Sequence, residues 1–288
     1  MGSHHTWSVT ALIWVLGCSS STGATTDGSA MAPYIGGGHS HTCMLAVDGQ
    51  VACGGSDSLG QASPPAVTLV QLSVGFRHNC GVTSDGSPVC WGENTDNEAS
   101  PPPAAFRSIT AAMGGHSCGI EISGELSCWG RNTFAQASPP AGRFIQVAGG
   151  SDHSCAVAED HTVQCWGSDA AGQYPLPAGS YRQVAVGFDF TCAIEMDNTV
   201  VCQGSNTRGQ ATPIAGEYGQ LHAGPVHVCG VKTDGTVACW GDNTEGQSSP
   251  PAGSFVQVSA GRNHSCGIRS DGSATCWGLA DSYSGLAL

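Results

Sequence analysis

The sequence has little charge and almost no lysine. Of its 288 residues 11% are charged, and Lys232 is the single lysine. Nine Lys and Arg stand against 22 Asp and Glu, a net charge of −13. Such a chain does not neutralise a phosphate backbone, so charge excludes nucleic acid and anionic lipid surfaces as partners. The one marked apolar run, Val9 to Gly17, is too short to span a bilayer as a mature helix. Helical periodicity is missing from the repeat region. Also missing are a serine–histidine–acid order, a phosphate loop and a nucleotide fingerprint. Asp242-Asn-Thr-Glu245 lacks the full ligand series of a calcium loop. No catalytic, cofactor or metal residue is assigned, and the chain reads as a non-enzyme without cofactor.

What the chain has is glycine, 42 residues, and cysteine, 15 residues. Fourteen cysteines fall into pairs ten residues apart: Cys43 and Cys53, Cys80 and Cys90, Cys118 and Cys128, Cys155 and Cys165, Cys192 and Cys202, Cys229 and Cys239, Cys266 and Cys276. Successive first cysteines are 37, 38, 37, 37, 37 and 37 residues apart. A period of this size marks an array of small units that bury core only against their neighbours.

Each pair brackets a turn, such as Ser84-Asp85-Gly86. The odd loop predicts a three-residue hairpin, a type I turn followed by a left-handed residue. Positive φ suits Gly or Asn there; the occupants are Gly49, Gly86, Gly124, His161, Asn198, Gly235 and Gly272. Counting outward from Thr83 and Ser87 puts Cys80 opposite Cys90 in a non-hydrogen-bonded pair, with Cα atoms about 4.5 Å apart. The same holds in every unit, so seven cross-strand disulfides are expected. A zinc site is the rival reading, but each unit offers only two sulfurs and one histidine to an ion. A third strand precedes the hairpin, as in Phe144-Ile-Gln-Val147 and Phe255-Val-Gln-Val258. A return such as Gly246-Gln-Ser-Ser-Pro-Pro251 ends the sheet. The expected fold is all-β: a seven-bladed propeller of three- to four-stranded antiparallel blades. The first strand is expected over Ala32–Ile35, and the tail after Gly278 is expected to close the ring against the first blade. A linear stack is the alternative; closure removes the sheet edges, and the last unit is no polar cap.

Gly261-Arg-Asn-His264, Asp271-Gly272, Trp277-Gly278 and Gly246-Gln247 make the unit similar to the regulator of chromosome condensation repeat. The resemblance covers residues 31–288 and implies a seven-bladed propeller. In the eukaryotic founder of that family the fold exchanges nucleotide on a small GTPase and docks on chromatin. The acidic balance, paired cysteines and apparent secretion set this chain apart from both roles. Val15-Leu-Gly-Cys18 resembles a bacterial lipoprotein signal, and Cys18 is the cysteine left over from the pairs. The expected organisation is a leader of lipoprotein type over 1–18, a flexible tether over 19–30 and the propeller over 31–288. An ordinary secretory signal is the alternative. Either places the mature chain outside the cytoplasm, on the envelope or secreted, where disulfides persist. Any membrane contact is through the lipid anchor, and the propeller is expected to be a monomer.

His41, His78, His116, His153, His227 and His264 precede the first cysteines by two, with Phe190 in the fifth unit. A ring of seven spreads them too widely for one ion, so they read as structural, bonding main chain between blades. The turn aspartates cap their own turns. Trp91, Trp129, Trp166, Trp240 and Trp277 read as inter-blade core. Function then falls to positions where units differ. The partner-binding candidates are Phe76, Arg77, Phe134, Phe188, Arg262 and Tyr283. They point to a protein partner bound at one rim; a secreted enzyme inhibitor and a glycan-binding propeller are the alternatives.

Overall fold

The structure, a computed structural model, describes residues 32–286. The expected leader with Cys18 and the tether over 19–30 lie outside the described residues. The turn between each cysteine pair sets the geometry of its blade. Gly49, Gly86, Gly124, His161, Asn198, Gly235 and Gly272 all hold φ between 66° and 94°. In the second blade Gly86 N donates to Thr83 O, and Thr83 N to Ser87 O, each at 3.0 Å. The hairpin leaving that turn brings the cysteines opposite each other. All seven pairs are bonded, with Cα atoms 4.0–4.1 Å apart. Each closes a short loop worth roughly 2–3 kcal/mol.

Seven antiparallel sheets result, each of three strands in chain order. The inner strands are Tyr34–Gly37, Gln71–Val74, Phe106–Ala111, Phe144–Gly149, Tyr181–Val186, Tyr218–Ala223 and Phe255–Ala260. The middle strands are His41–Leu45, His78–Val82, His116–Glu121, His153–Ala158, Phe190–Glu195, His227–Lys232 and His264–Arg269. The outer strands are Val51–Gly55, Pro88–Gly92, Leu126–Gly130, Val163–Gly167, Val200–Gly204, Val237–Gly241 and Ala274–Gly278. The proline-rich return adds no fourth strand among the described residues. The first inner strand starts two residues later than expected, because Pro33 offers no main-chain donor to the ladder.

Glutamine joins blade to blade around the axis. Gln220 Nε2 donates to Val258 O, and Val258 N to Gln220 Oε1, both at 2.9 Å. Gln183 does the same with Leu221, and Gln71 with Ile109. A carboxamide carries a donor and an acceptor like a peptide, so it continues the ladder across the gap. Gln257 makes the same pair with Ile35, at 2.9 and 3.2 Å, so the seventh blade grips the first and the ring is closed. Between blades, Phe106, Phe144, Tyr181, Tyr218 and Phe255 are fully buried. Burial of each contributes about 1.5–3 kcal/mol. Trp91, Trp166, Trp240 and Trp277 are buried beside them and Trp129 is half-buried. A glycan platform would need those rings exposed.

Candidate functional site

The loop from inner to middle strand, Gly-x-x-His, is organised by its histidine. At Gly261 a Cβ would lie 2.4 Å from His264 Cε1, so only glycine admits the ring. The ring reaches the next blade. His78 Nε2 lies 2.9 Å from Ser117 Oγ, and His116 Nε2 2.8 Å from Ser154 Oγ. His227 meets Ser265, and His264 meets Thr42 across the closure, each at 2.8 Å. Ser117 gives its own proton to Glu98 O, and Ser265 gives its to Gln247 O. The imidazole Nε2–H is therefore the donor. Trp129 Nε1 and Trp277 Nε1 donate to the same two carbonyls, so one acceptor gathers tryptophan and hydroxyl. The expected main-chain partner of the histidines is thus corrected: they bond a side chain on the next blade. Burial holds His78, His116, His227 and His264 down to about 3, so all are neutral. The exception explains itself. Phe190 faces a position where the next blade carries Val228 instead of a hydroxyl, and both are fully buried in one apolar cluster.

With the histidines absorbed by the ring, the two residues before each of them are left at one mouth of the axial channel. Phe76 and Phe188, from blades two and five, meet with centroids 5.3 Å apart. His39 of blade one meets Phe76 edge-on at 4.4 Å. Arg77 stands 5.9 Å from the Phe76 ring centre. Arg262 of blade seven donates to His39 Nε2, and His39 Nδ1 lies 2.6 Å from Ser40 Oγ. A guanidinium only donates, so the imidazole is neutral. Burial first, then Arg262 and Arg77, lowers its pKa to about 4. Met113 and Pro225 complete the mouth.

These loops are tied to each other. His39 N donates to Phe76 O at 2.8 Å, Arg262 N to Gly38 O at 2.9 Å, and Phe188 N to Pro225 O at 3.2 Å. The aromatic pair is preorganised, while Arg77 and Arg262 stay exposed. Arg77 has a long ion pair with Glu93, 3.6 Å, worth little at the surface. Arg131 is paired with Asp152, and Arg208 with Asp242 at 2.6 Å. Arg262 has no carboxylate among the described residues; its acceptor is an imidazole.

Of the six candidates, the structure brings Phe76, Arg77, Phe188 and Arg262 together. Phe134 and Tyr283 make none of the mouth's ring contacts or hydrogen bonds described above. Phe134 is 53% exposed on the return after the third blade. Tyr283 is half-buried in a 3-10 turn over Ala280–Tyr283, its ring 6.1 Å from His264. His39 and Met113 were missed. Their signal was positional, since each occupies the first variable place of its Gly-x-x-His loop or its counterpart.

The sequence matches the family described as regulator of chromosome condensation (RCC1) repeat over residues 69–98, 144–173, 181–210, 220–247 and 255–285. The chain has no match among the curated proteins. Among solved structures it is similar to the entire ectodomain of the receptor kinase CR4 from Physcomitrella patens, at 26% identity and TM-score 0.73. That likeness covers 86% of this chain and 73% of that one. It is similar to the CRINKLY WD40 ectodomain of the Arabidopsis thaliana receptor kinase ACR4, at 24% identity and TM-score 0.71, over 86% and 95% of the chains. Prp20p from Saccharomyces cerevisiae shares the fold at 14% identity and TM-score 0.66, over 82% and 81%.

Proposed function

The chain belongs to the regulator of chromosome condensation repeat family, and we propose that it is a non-enzymatic, cell-surface or secreted propeller that binds a protein partner at its channel mouth. The observation that carries this reading is the convergence of Phe76, Phe188, His39 and Arg262 from four blades on one preorganised patch. Aromatic rings beside arginine are the residue types that dominate protein interfaces. The fold serves protein recognition elsewhere: the Prp20p structure was described with its binding to Gsp1p and histones. That support is fold-level analogy only.

Seven disulfides point to an oxidising, extracytoplasmic compartment. Within that compartment we take residues 1–18 as the leader, Cys18 as the lipidated residue and 19–30 as the tether to the propeller. The full chain, immobilised and exposed to envelope and secreted proteins, tests the reading. One captured protein should be lost from the Phe76→Ala, Phe188→Ala double variant and kept by Phe134→Ala. Equal capture by both variants, or capture of sugars alone, would overturn it.

A further inference from the structure

The axial channel behind the mouth is a cavity in its own right. Every blade contributes to its wall. Much of that wall is apolar, with Val74, Ala148, Ala185, Val186, Ala223 and Ala260. Beside the hydroxyls of Ser73 and Thr110, one imidazole stands on that wall. His222 lies opposite Cys229, at the inner-strand place that faces each blade's first cysteine. Ser73 and Ser259 hold the same place in their blades. Their hydroxyls accept from Ala111 N and Gly37 N of the next blade, each at 3.0 Å. His222 Nδ1 does the same job, accepting from Ala260 N at 3.1 Å.

A main-chain N–H can only donate. His222 Nδ1 is therefore unprotonated, and the proton of the neutral ring sits on Nε2. A serine would satisfy Ala260 as it does elsewhere. The imidazole adds a fixed donor, Nε2–H, on the channel wall, with no protein acceptor for it among the described residues. Burial keeps the ring neutral, lowering its pKa to about 4. No carboxylate or cationic side chain lines the channel with it, so a charged guest would lose its hydration without a counter-charge.

We infer that the channel is a binding site for a small, neutral, largely apolar molecule carrying one hydrogen-bond acceptor, such as a ketone or ether oxygen, taken by His222 Nε2–H. The apolar wall takes the body of the guest, and the His222 donor fixes its orientation. The inference differs from the docking surface in its residues: Phe188, His39 and Arg262 are not channel wall, although the two sites share Phe76, Met113 and Pro225 at the mouth.

Two neutral ring compounds of similar size test it: cyclohexanone, which has an acceptor, and methylcyclohexane, which has none. Each is titrated into the full chain while NMR follows the histidine Nε2–H signals and the alanine methyls. Cyclohexanone should saturably shift His222 and the Ala148, Ala185 and Ala223 methyls. Methylcyclohexane should bind about tenfold more weakly, the worth of one hydrogen bond. His222→Ala, which puts there the residue that Ala148 and Ala185 supply at the same place in their blades, removes the donor and should erase that preference. Ala185→Leu, which fills the wall, should abolish both titrations while leaving the unfolding temperature close to that of the parent. Absence of any shift, shifts confined to the outer surface, or equal affinity for the two probes would overturn the inference.

Discussion

At Ala135 the backbone holds φ near 65°, a region that costs a residue with a Cβ about 1–2 kcal/mol. The same place in other returns is held by Gly60, Gly172, Gly209 and Gly246, and by Asn97. Ala135→Gly relieves the strain but frees the unfolded chain, which takes back about 0.4–1 kcal/mol. The expected net is a gain of roughly 0.5 kcal/mol, a rise of about 1–2 °C in the calorimetric midpoint. A fall would show that contacts of the alanine methyl outweigh the strain. The buried histidines give a second residue-scale expectation. His78, His116, His227 and His264 titrate near 3 in the fold and His153 near 4. In the unfolded chain they titrate near 6.5. Between those values the unfolded chain binds more protons, so unfolding free energy rises with pH there. The stability they contribute is complete above about pH 6.5 and is lost progressively towards pH 3–4. Thermal midpoints should be level above pH 7 and fall steeply below 6. A level profile from pH 7 to 4 would mean that the rings take up protons in the fold as readily as in the unfolded chain.

Between elements, the histidine-to-hydroxyl contact and its apolar replacement make a closed exchange. Phe190→His would bury an imidazole against Val228 with no acceptor, and Val228→Ser would bury a hydroxyl that can give its proton to Gln210 O but has no donor to it under Phe190. Each single change is expected to cost about 2–4 kcal/mol, since an unpaired buried polar group costs about 1–3 and the lost volume adds to it. Together they rebuild the pair seen at His227 and Ser265. The double variant should be less destabilised than the sum by at least about 1 kcal/mol in urea unfolding. Strict additivity would mean that the two positions do not sense each other. This pairing marks the limit of what was legible in the sequence. Turns, cysteine pairs and inner strands could be read because each is decided within about ten residues, by positive φ, hairpin register and alternation. The partners of the histidines are 38 residues on, in the next blade. The clue was present: Val228 is the one apolar residue in a series running Thr42, Asn79, Ser117, Ser154, Thr191, Ser265. It sits one unit after the one missing histidine. Likewise Phe76 and Phe188 could be picked as variable, but only ring closure decides that they meet and that Tyr283 points elsewhere.

For the molecule as a whole, every disulfide lies within one blade, so no covalent bond holds the ring shut. Closure rests on the seam between the seventh blade and the first. That seam lacks a tryptophan: the first blade has Gly54 where Trp91 and Trp277 stand in others. The tail compensates. Ser282 O accepts from Thr42 Oγ1 at 3.0 Å, the part played by Gln247 O towards Ser265. Ser284 O accepts from Gly55 N at 2.9 Å. The tail comes so close that a Cβ on Gly54 would lie 2.6 Å from Ser284 O and 2.7 Å from Leu286 N. Gly54→Ala in the full chain is therefore expected to cost about 1–3 kcal/mol, a fall of roughly 2–6 °C in the unfolding midpoint. Truncation after Gly278 should lower the midpoint on its own, by exposing Thr42 and the first outer strand. In the truncated chain Gly54→Ala should then be nearly neutral, because the atoms it would strike are gone. If the substitution costs the same with and without the tail, the tail does not close this seam, and the direct bonds between the two blades, Gln257–Ile35, His264–Thr42, Gly37–Ser259 and Arg262–Gly38 among them, hold the ring.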